Sequence, residues 1–349
     1  MLRPPRSFTR LSHVRLIAGA TAAAAMWLIL PARPVEARRG MDDAAAFRAQ
    51  VAAAELKRCS AEHFRDNQRS PLHRASTDWF DVHSVAPGVF ALVESRQQQE
   101  VISWLIVGTT RALLFDTGMG MRPLQPVVAQ LTTLPVTVLN SHTHLDHVGG
   151  NAEFTDVRAI DHVFTRRNMS GKTHAQVASE VSTEALCGNT AVGFDTATYR
   201  TRAWTSAGVV RGDDSFDLGG RTIDVIAVPG HTPDAIALHD RAAGLLWTGD
   251  TFYAGPIWLF MPETDLDAYL ASITTLAALA PSLTQVLPAH NTVVTAPSML
   301  VRVRDAMRAI RAGTVTGTTP APGQRVFTFT GFSVLVSEAT VTAWQAKGK

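Results

Sequence analysis

Three histidines and one aspartate fall within six consecutive positions, immediately after an apolar segment, and this run constrains the fold more than any other feature of the chain. The apolar segment, 136–139, has the length and composition of a buried strand. Side chains two residues apart in extended backbone point the same way, so His142 and His144 can face one cation. Asp146 and His147 fall on the following turn and can face another. Because zinc favours imidazole and carboxylate ligands, the run predicts two neighbouring metal sites.

Three further metal-competent residues occur later in the chain, each directly after an apolar, strand-like run. His231 stands in the sequence VPGHT, Asp250 in TGDT and His290 in LPAHN. Loops at strand ends are held by a rigid scaffold and often carry binding residues. The predicted metal ligands are therefore His142, His144, Asp146, His147, His231, Asp250 and His290.

With these ligands in this order, the chain resembles the metallo-β-lactamase superfamily over about residues 86–312. The resemblance implies an α/β fold, an αββα sandwich of two mixed sheets flanked by helices, with the metals at one edge. It also implies that Asp250 bridges the metals and that Asp116, in the sequence LFDTG, supports the ligand loop. The implied first site contains His142, His144 and His231, and the implied second site contains Asp146, His147 and His290.

Two metal ions that share a carboxylate also share a water, whose pKa they lower from about 15.7 towards about 7. The predicted activity is hydrolysis of an ester, lactone or thioester by an enzyme with two divalent ions, for which Zn2+ is the expected metal. The candidate catalytic residues are Asp146 and Tyr253. Tyr253 matches a tyrosine of similar metallo-lactonases that stabilises the developing oxyanion. Packing of Tyr253 beneath the loop is the competing interpretation.

Three other functions compete with this prediction. A periplasmic β-lactamase is disfavoured because similar β-lactamases usually lack a carboxylate at the position of Asp250. An iron-dependent persulfide dioxygenase of the same fold does without a full second site, whereas His147 and His290 are both present. A non-catalytic member of the fold typically lacks some of the metal ligands, whereas all seven are present in this chain. The apolar segment 254–262 either walls a pocket for an acyl or aromatic group or fills the core.

Residues 1–37 have the pattern of a secretory signal peptide. Four arginines precede the apolar stretch 16–30, and small residues near position 37 offer a cleavage site. The stretch is shorter than the ~18 apolar residues that a spanning helix needs. An uncleaved membrane anchor is the alternative. We therefore expect an exported protein, periplasmic or secreted.

The leader also carries the positive charge of the chain. The whole sequence has a formal charge of +2, and residues 1–37 contain five arginines and one glutamate, which leaves about −2 for the remainder. This balance provides no basic surface for nucleic acid. The expected partner is a small-molecule substrate, with no nucleic acid and, once the leader is cleaved, no membrane. The sequence leaves the oligomeric state open.

The remaining patterns divide the chain into an N-terminal extension over 38–84, the catalytic domain over 85–312 and a tail over 313–349. An alternating segment in the tail, 325–336, predicts one extra strand. Within the catalytic domain, strands are predicted at 89–94, 101–107, 112–115, 136–139, 213–217, 221–228, 235–239 and 244–248, and helices at 122–131, 266–280 and 298–312.

Two features of the sequence allow alternative interpretations. The segment 171–210 is rich in small residues and predicts a partly helical insertion that passes near the metals. In it, Tyr199 and Trp204 either line a substrate pocket or pin the insertion to the core. The two cysteines, Cys59 and Cys187, either form one disulfide, as an exported protein allows, or remain two thiols.

Overall fold

The computed structural model describes residues 71–188 and 193–347. The predicted signal peptide, most of the predicted extension and Cys59 lie outside these residues. Cys187 is disulfide-bonded. Within the two described ranges, no helix has both the length and the apolar character needed to cross a membrane.

The first half of the described chain forms a seven-stranded mixed sheet in simple chain order. Its first four strands pair antiparallel and its last four pair parallel, so β4 is the strand where the direction changes. The strands are β1 (Asp81–Ala86), β2 (Val89–Val93), β3 (Ile102–Val107), β4 (Ala112–Phe115), β5 (Val136–Leu139), β6 (Val157–Ile160) and β7 (Gly208–Val210).

The second half forms a five-stranded sheet and a small three-stranded sheet. The five-stranded sheet has the order β13-β11-β10-β9-β8, and the small sheet has the order β12-β15-β14. Their strands are β8 (Ser215–Asp217), β9 (Thr222–Ala227), β10 (Ile236–Asp240), β11 (Leu245–Gly249), β12 (Pro256–Leu259), β13 (Gln285–Pro288), β14 (Gln324–Phe329) and β15 (Phe332–Ser337).

Helices lie outside the sheets. Each of the longer ones has apolar residues at helical spacing; Leu300, Val303, Met307 and Ile310 are buried on one face of α6. The helices are α1 (Gln125–Leu131), α2 (Leu145–Val148), α3 (Val163–Asn168), α4 (His174–Val177), α5 (Leu266–Leu279), α6 (Ser298–Arg311) and α7 (Glu338–Lys347). Short 3-10 turns cover Asn151–Glu153, Ala178–Val181 and Ala280–Ser282.

Three apolar clusters hold these layers together. The central cluster joins the inner faces of the two large sheets, where Trp104 of β3 meets Trp247 of β11 edge-on with ring centroids 6.4 Å apart. A second cluster packs α1 and the insertion onto the outer face of the first sheet. The third packs α5, α6 and α7 onto the outer face of the second sheet. The αββα sandwich predicted from the sequence is therefore confirmed.

Two elements differ from the sequence-based prediction. A strand that was not predicted, β1, begins at Asp81, before the expected domain boundary at residue 85, so the end of the expected extension is an edge strand of the first sheet. The tail segment 325–336 is a hairpin rather than one strand, because Gly331 adopts φ +88° and turns β14 back onto β15. Helix α7 follows this hairpin, and its Trp344 is buried in the third cluster.

The aromatic residues of the insertion pin it to the core. Tyr199 and Trp204 are both buried in the second cluster. The Tyr199 hydroxyl donates a hydrogen bond to the Met119 carbonyl at 2.7 Å, and the Trp204 amide donates to the Met169 carbonyl at 3.0 Å. Neither ring is exposed as a pocket wall would be.

Candidate metal centre

The predicted ligands all follow the carboxyl ends of strands. The chain leaves β5 into the loop that carries His142 and His144, and the short helix α2 carries Asp146 and His147. The remaining three ligands come within four residues of the ends of β9, β11 and β13 of the other large sheet. The two sheets therefore deliver their ligand loops to a common edge of the sandwich.

A glycine fixes the loop that carries His231. Gly230 has φ +140°, which side chains rarely adopt, and a Cβ at this position would lie 2.3 Å from the Tyr269 backbone of α5. The Gly230 carbonyl also accepts a hydrogen bond from the Asp265 amide at the start of the same helix. Close packing of the loop on α5 thus sets the direction of His231.

Three imidazole nitrogens converge to form the first group. His142 Nε2 lies 2.9 Å from His144 Nδ1 and 3.2 Å from His231 Nε2, and His231 Nε2 lies 3.0 Å from His144 Nδ1. Tetrahedral zinc with Zn–N bonds of about 2.0–2.1 Å places its nitrogen ligands about 3.3 Å apart. The triangle is therefore only slightly smaller than the one that a zinc ion requires.

The second group contains the other predicted ligands. His147 Nε2 lies 3.3 Å from His290 Nε2, and Asp146 Oδ2 lies 3.4 Å and 3.7 Å from these two nitrogens. His147 is fully buried, whereas 13% of the Asp146 side chain is exposed. The second group is thus also of metal-binding size.

Asp250 lies between the groups and offers one oxygen to each. Its Oδ1 is 3.1 Å from His290 Nε2 and 3.4 Å from His147 Nε2, while its Oδ2 is 3.6 Å from His231 Nε2. Among the described residues, none makes a hydrogen bond of good geometry to the buried Oδ1. A buried carboxylate oxygen without such a bond is costly unless a cation compensates it, which fits the bridging position implied by the sequence.

The outer nitrogens of the histidines are held by acceptors that fix their tautomers. His231 Nδ1 donates to the Trp258 carbonyl at 2.7 Å, and His290 Nδ1 donates to the Gln99 carbonyl at 2.6 Å. A carbonyl can only accept, so Nε2 of each neutral ring directs a lone pair into the centre. Inward lone pairs at these short separations repel one another unless a cation lies between them. The donor set therefore fits two divalent metals.

Two carboxylates hold further rings. His147 Nδ1 lies 2.9 Å from Asp116 Oδ2, and His144 Nε2 lies 2.8 Å from Glu263 Oε1. The other oxygen of Asp116 accepts a hydrogen bond from the Ser141 amide at 2.6 Å, which ties the ligand loop to the end of β4. Such partners orient metal ligands and raise their basicity.

The two groups differ in charge. Burial, with neighbouring His144, lowers the pKa of His231 to about 4, so this ring is neutral at physiological pH. Burial also opposes a charge on His147, but Asp146, Asp250 and Asp116 together raise the pKa of His147 well above its ordinary value. Despite burial, His290 and His147 hold the pKa of Asp250 well below its ordinary value. A metal ion that binds the second group must therefore displace a proton from His147.

Tyr253, the candidate oxyanion donor, lies beside the second group but its hydroxyl is directed elsewhere. Its ring centroid is 5.0 Å from that of His290, and its hydroxyl donates to the Pro256 carbonyl at 2.6 Å. The side chain is almost completely buried. This contact connects Tyr253 to the start of β12; the catalytic role remains a prediction.

The segment 254–262 both fills the core and contacts the centre. Ile257 and Leu259 are buried in the third cluster, while Trp258 and Phe260 alternate with them and are half-buried. The Trp258 carbonyl is the group that accepts the hydrogen bond from His231. One face of the segment therefore fills the core, as one interpretation of the sequence predicts. The other face, with Trp258 and Phe260, is available to form the wall of a pocket, as the alternative interpretation predicts.

Sequence reasoning missed two carboxylates at the centre. Glu263 binds His144, which lies 119 positions away in the sequence. Asp234 is buried and accepts hydrogen bonds from the hydroxyls of Thr143, Thr165 and Thr232, which connect the two ligand loops with α3. The position of Asp234 three residues after a ligand is the only local signal that could have suggested it.

Comparison with known proteins gives consistent matches. A family model described as the metallo-beta-lactamase superfamily matches residues 100–290. The human acyl-coenzyme A thioesterase MBLAC2 is 25% identical over 232 residues, covering 62% of this chain and 82% of that protein. A hydroxyacylglutathione hydrolase of Yersinia enterocolitica is 27% identical over 197 residues, covering 55% of this chain and 62% of that protein.

One solved structure has the same arrangement of layers over much of the chain. The stereoselective inverting sec-alkylsulfatase Pisa1 from Pseudomonas sp. superimposes with a TM-score of 0.51 at 16% identity, covering 66% of this chain and 42% of that one. At this identity the likeness concerns the fold alone.

Proposed function

The chain belongs to the metallo-β-lactamase superfamily, and from that premise we propose that it is a metal-dependent hydrolase that cleaves thioesters or related carboxylic esters. The observation that carries the proposal is the position of Asp250, with one oxygen directed to each of two complete donor groups. The similar proteins named as acyl-coenzyme A thioesterase and hydroxyacylglutathione hydrolase support the thioester class.

Two divalent ions, for which we propose zinc, would be held by the seven ligands and would supply an acidified water and polarisation of the substrate carbonyl. The chain's own residues prepare this centre. Asp116 and Glu263 orient His147 and His144, respectively. The carbonyls of Trp258 and Gln99 orient His231 and His290. These contacts keep the inner nitrogens of four of the five histidines directed at a metal position before substrate arrives.

Asp146 is the ligand that we propose as a catalytic residue. It is the more exposed member of the second group, with 13% of its side chain accessible beside a fully buried His147. A leaving group that departs towards solvent would therefore pass this carboxylate rather than an imidazole. We propose that Asp146, a carboxylate whose pKa His147 and His290 hold well below its ordinary value, accepts the proton released by the attacking water and transfers it to the departing thiolate or alkoxide.

The acyl side of the substrate would lie against aromatic residues next to the first group. Trp258 and Phe260 are half-buried on the face of β12 and its following loop that does not enter the core. Phe164 of α3 contacts the ring of His144, with centroids 5.9 Å apart. An apolar surface here favours an acyl or aromatic acyl group over a charged one.

The competing activities differ from this proposal in measurable ways. A β-lactamase would turn over nitrocefin, and similar β-lactamases usually lack the carboxylate found here at Asp250. An iron-dependent persulfide dioxygenase would consume oxygen and needs only the first group, whereas His147, Asp146 and His290 complete a second one.

We also propose that the protein is exported, because residues 1–37 carry the arginine-rich start, apolar stretch and small-residue site of a signal peptide. The full-length chain should be expressed in a bacterial host and its exported fraction analysed by intact mass. A product starting near residue 38 supports export, and retention of residues 1–37 in the cytoplasm contradicts it.

Elemental analysis of the purified chain, with a parallel substrate screen, tests the hydrolase. We expect about two zinc ions per chain, together with turnover of acyl thioesters that a chelator abolishes and added zinc restores. The screen should include lactones, aryl esters and nitrocefin. One iron per chain with oxygen uptake, or turnover of nitrocefin alone, would overturn the proposal.

A further inference from the structure

A basic cavity lies at the end of α3 and has no part in the chemistry described above. Its volume is about 670 Å3, and its walls come from the end of α3, the loop after it and the segment 200–203. Four of the residues that line it are cationic: Arg167, Lys172, Arg200 and Arg202. None of the described lining residues is acidic, and serine, threonine and glutamine side chains supply further hydrogen-bonding groups.

The arginine charge in this cavity is largely uncompensated. Within the described ranges, Arg167 and Arg200 form no ion pair, whereas the neighbouring Arg166 pairs with Asp161. Arg202 interacts with Glu153 only at longer range, enough to contribute to the pKa of that carboxyl. Because the chain without its leader is slightly acidic overall, this concentration of positive charge is local rather than a general property of the surface.

Hydrogen bonds connect the cavity to the ligand loop. Lys172 Nζ donates to Asn168 Oδ1 at 3.0 Å, and Asn168 Nδ2 donates to Thr143 Oγ1 at 3.2 Å. Thr143 stands between His142 and His144 in the chain. The wall of the cavity and the ligand loop are therefore joined through Asn168.

We propose that this cavity binds phosphate groups carried on the thiol side of the substrate, so that the preferred substrate is a thioester whose leaving thiol is phosphorylated, as in a coenzyme A thioester. The inference rests on the proposed thioesterase function. One arginine guanidinium group can donate two parallel hydrogen bonds to the oxygens of a phosphate group. Because several cationic side chains line this cavity, it can accommodate more than one phosphate group. A single carboxylate would leave most of this charge unbalanced. Nucleic acid would need an extended basic surface, whereas the sequence after residue 37 is slightly acidic overall.

Substrates that differ only on the thiol side provide the main test. The same acyl group should be presented as its coenzyme A thioester and as its uncharged N-acetylcysteamine thioester. Arg167→Glu, Arg200→Glu and the matched control Arg166→Glu should be compared in the full chain. We expect Arg167→Glu and Arg200→Glu each to raise KM for the coenzyme A thioester about tenfold or more, with kcat little changed. Both substrates should be unaffected by Arg166→Glu, and the uncharged thioester by all three changes.

Direct binding supplies a measurement that does not depend on hydrolysis. Adenosine 3′,5′-bisphosphate should bind the wild-type chain and the Arg166→Glu control in calorimetry, and bind much more weakly to Arg167→Glu. Equal binding to all variants, or equal KM changes for both thioesters, would overturn the phosphate site. If wild type hydrolyses neither thioester, the proposed function fails, whereas selective loss of bisphosphate binding would still support the cavity as a phosphate site.

Discussion

His147 Nδ1 lies 2.9 Å from Asp116 Oδ2, and neither side chain is exposed to solvent. Asp116 adopts φ +68°, a conformation that is uncommon for residues other than glycine but tolerated by aspartate and asparagine. The uncommon backbone conformation at the end of β4 therefore places the Asp116 carboxylate next to His147, a ligand of the second group. This contact orients the His147 ring, and with the larger effects of Asp146 and Asp250 it raises the pKa of His147.

Replacing Asp116 by asparagine tests that contact. Asp116→Asn keeps the side-chain size and tolerates the same backbone conformation but removes the charge, so we expect metal affinity of the second group to fall about 10–100-fold. The affinity of the first group for metal should change little, because Asp116 makes its hydrogen bonds to His147 and to the Ser141 amide rather than to a ring of the first group. Chelator-competition titration measures both affinities. Equal weakening of the two sites would indicate general damage to the ligand loop.

Removing His231 should empty the first group. His231→Ala deletes one of three nitrogens that lie about 3 Å apart, so the remaining pair binds zinc weakly. We expect bound metal to fall by about one ion per chain and thioester turnover to be lost. His239→Ala on β10 is the matched control, since His239 belongs to neither donor group. Full turnover by His231→Ala with less than one ion bound would contradict the proposed mechanism.

The two groups should respond differently to pH. His147 has a raised pKa in the metal-free fold, so its proton competes with metal, and affinity of the second group should increase as pH rises towards that pKa. His231 has a pKa of about 4 and is already neutral, so its proton does not compete near neutrality. Dialysis at several values between about pH 8 and pH 6 should therefore empty the second group first. Metal analysis that shows simultaneous loss would contradict this order.

Tyr253→Phe separates packing from catalysis. The hydroxyl already donates to the Pro256 carbonyl, so we expect kcat to change by less than about threefold and unfolding stability to fall by about 1 kcal/mol. An oxyanion donor would instead lower kcat by about 100-fold or more at unchanged metal content. Steady-state kinetics with parallel denaturant unfolding distinguishes these outcomes. A large kcat effect would mean that the hydroxyl leaves Pro256 when substrate binds.

The sequence predicted the ligand set because each ligand has a local signal: a polar residue directly after an apolar strand. Contacts between residues that are far apart in the sequence have no such local signal. Glu263 reaches His144 across 119 positions. Strand β12 pairs in parallel with β15, from which α5 and α6 separate it in the chain. Gly331 interrupts the tail segment and could have suggested the hairpin. Because apolar and polar residues alternate on both sides of Gly331, however, the pattern was interpreted as one continuous strand.

The tail is also where the stability of the second half can be tested. Trp344 of α7 is buried in the third cluster, its Nε1 donates to Asp267 Oδ1 at 2.8 Å, and Arg311 lies 5.5 Å from its ring. Trp344→Ala removes this packing and leaves a cavity between α5 and α6, so we expect a loss of about 3–5 kcal/mol in unfolding free energy. The exposed Thr342→Ala on the same helix should change stability by about 0.5 kcal/mol or less. Denaturant unfolding measures both, and a loss below about 1 kcal/mol for Trp344→Ala would mean that α7 is not part of the cooperative core.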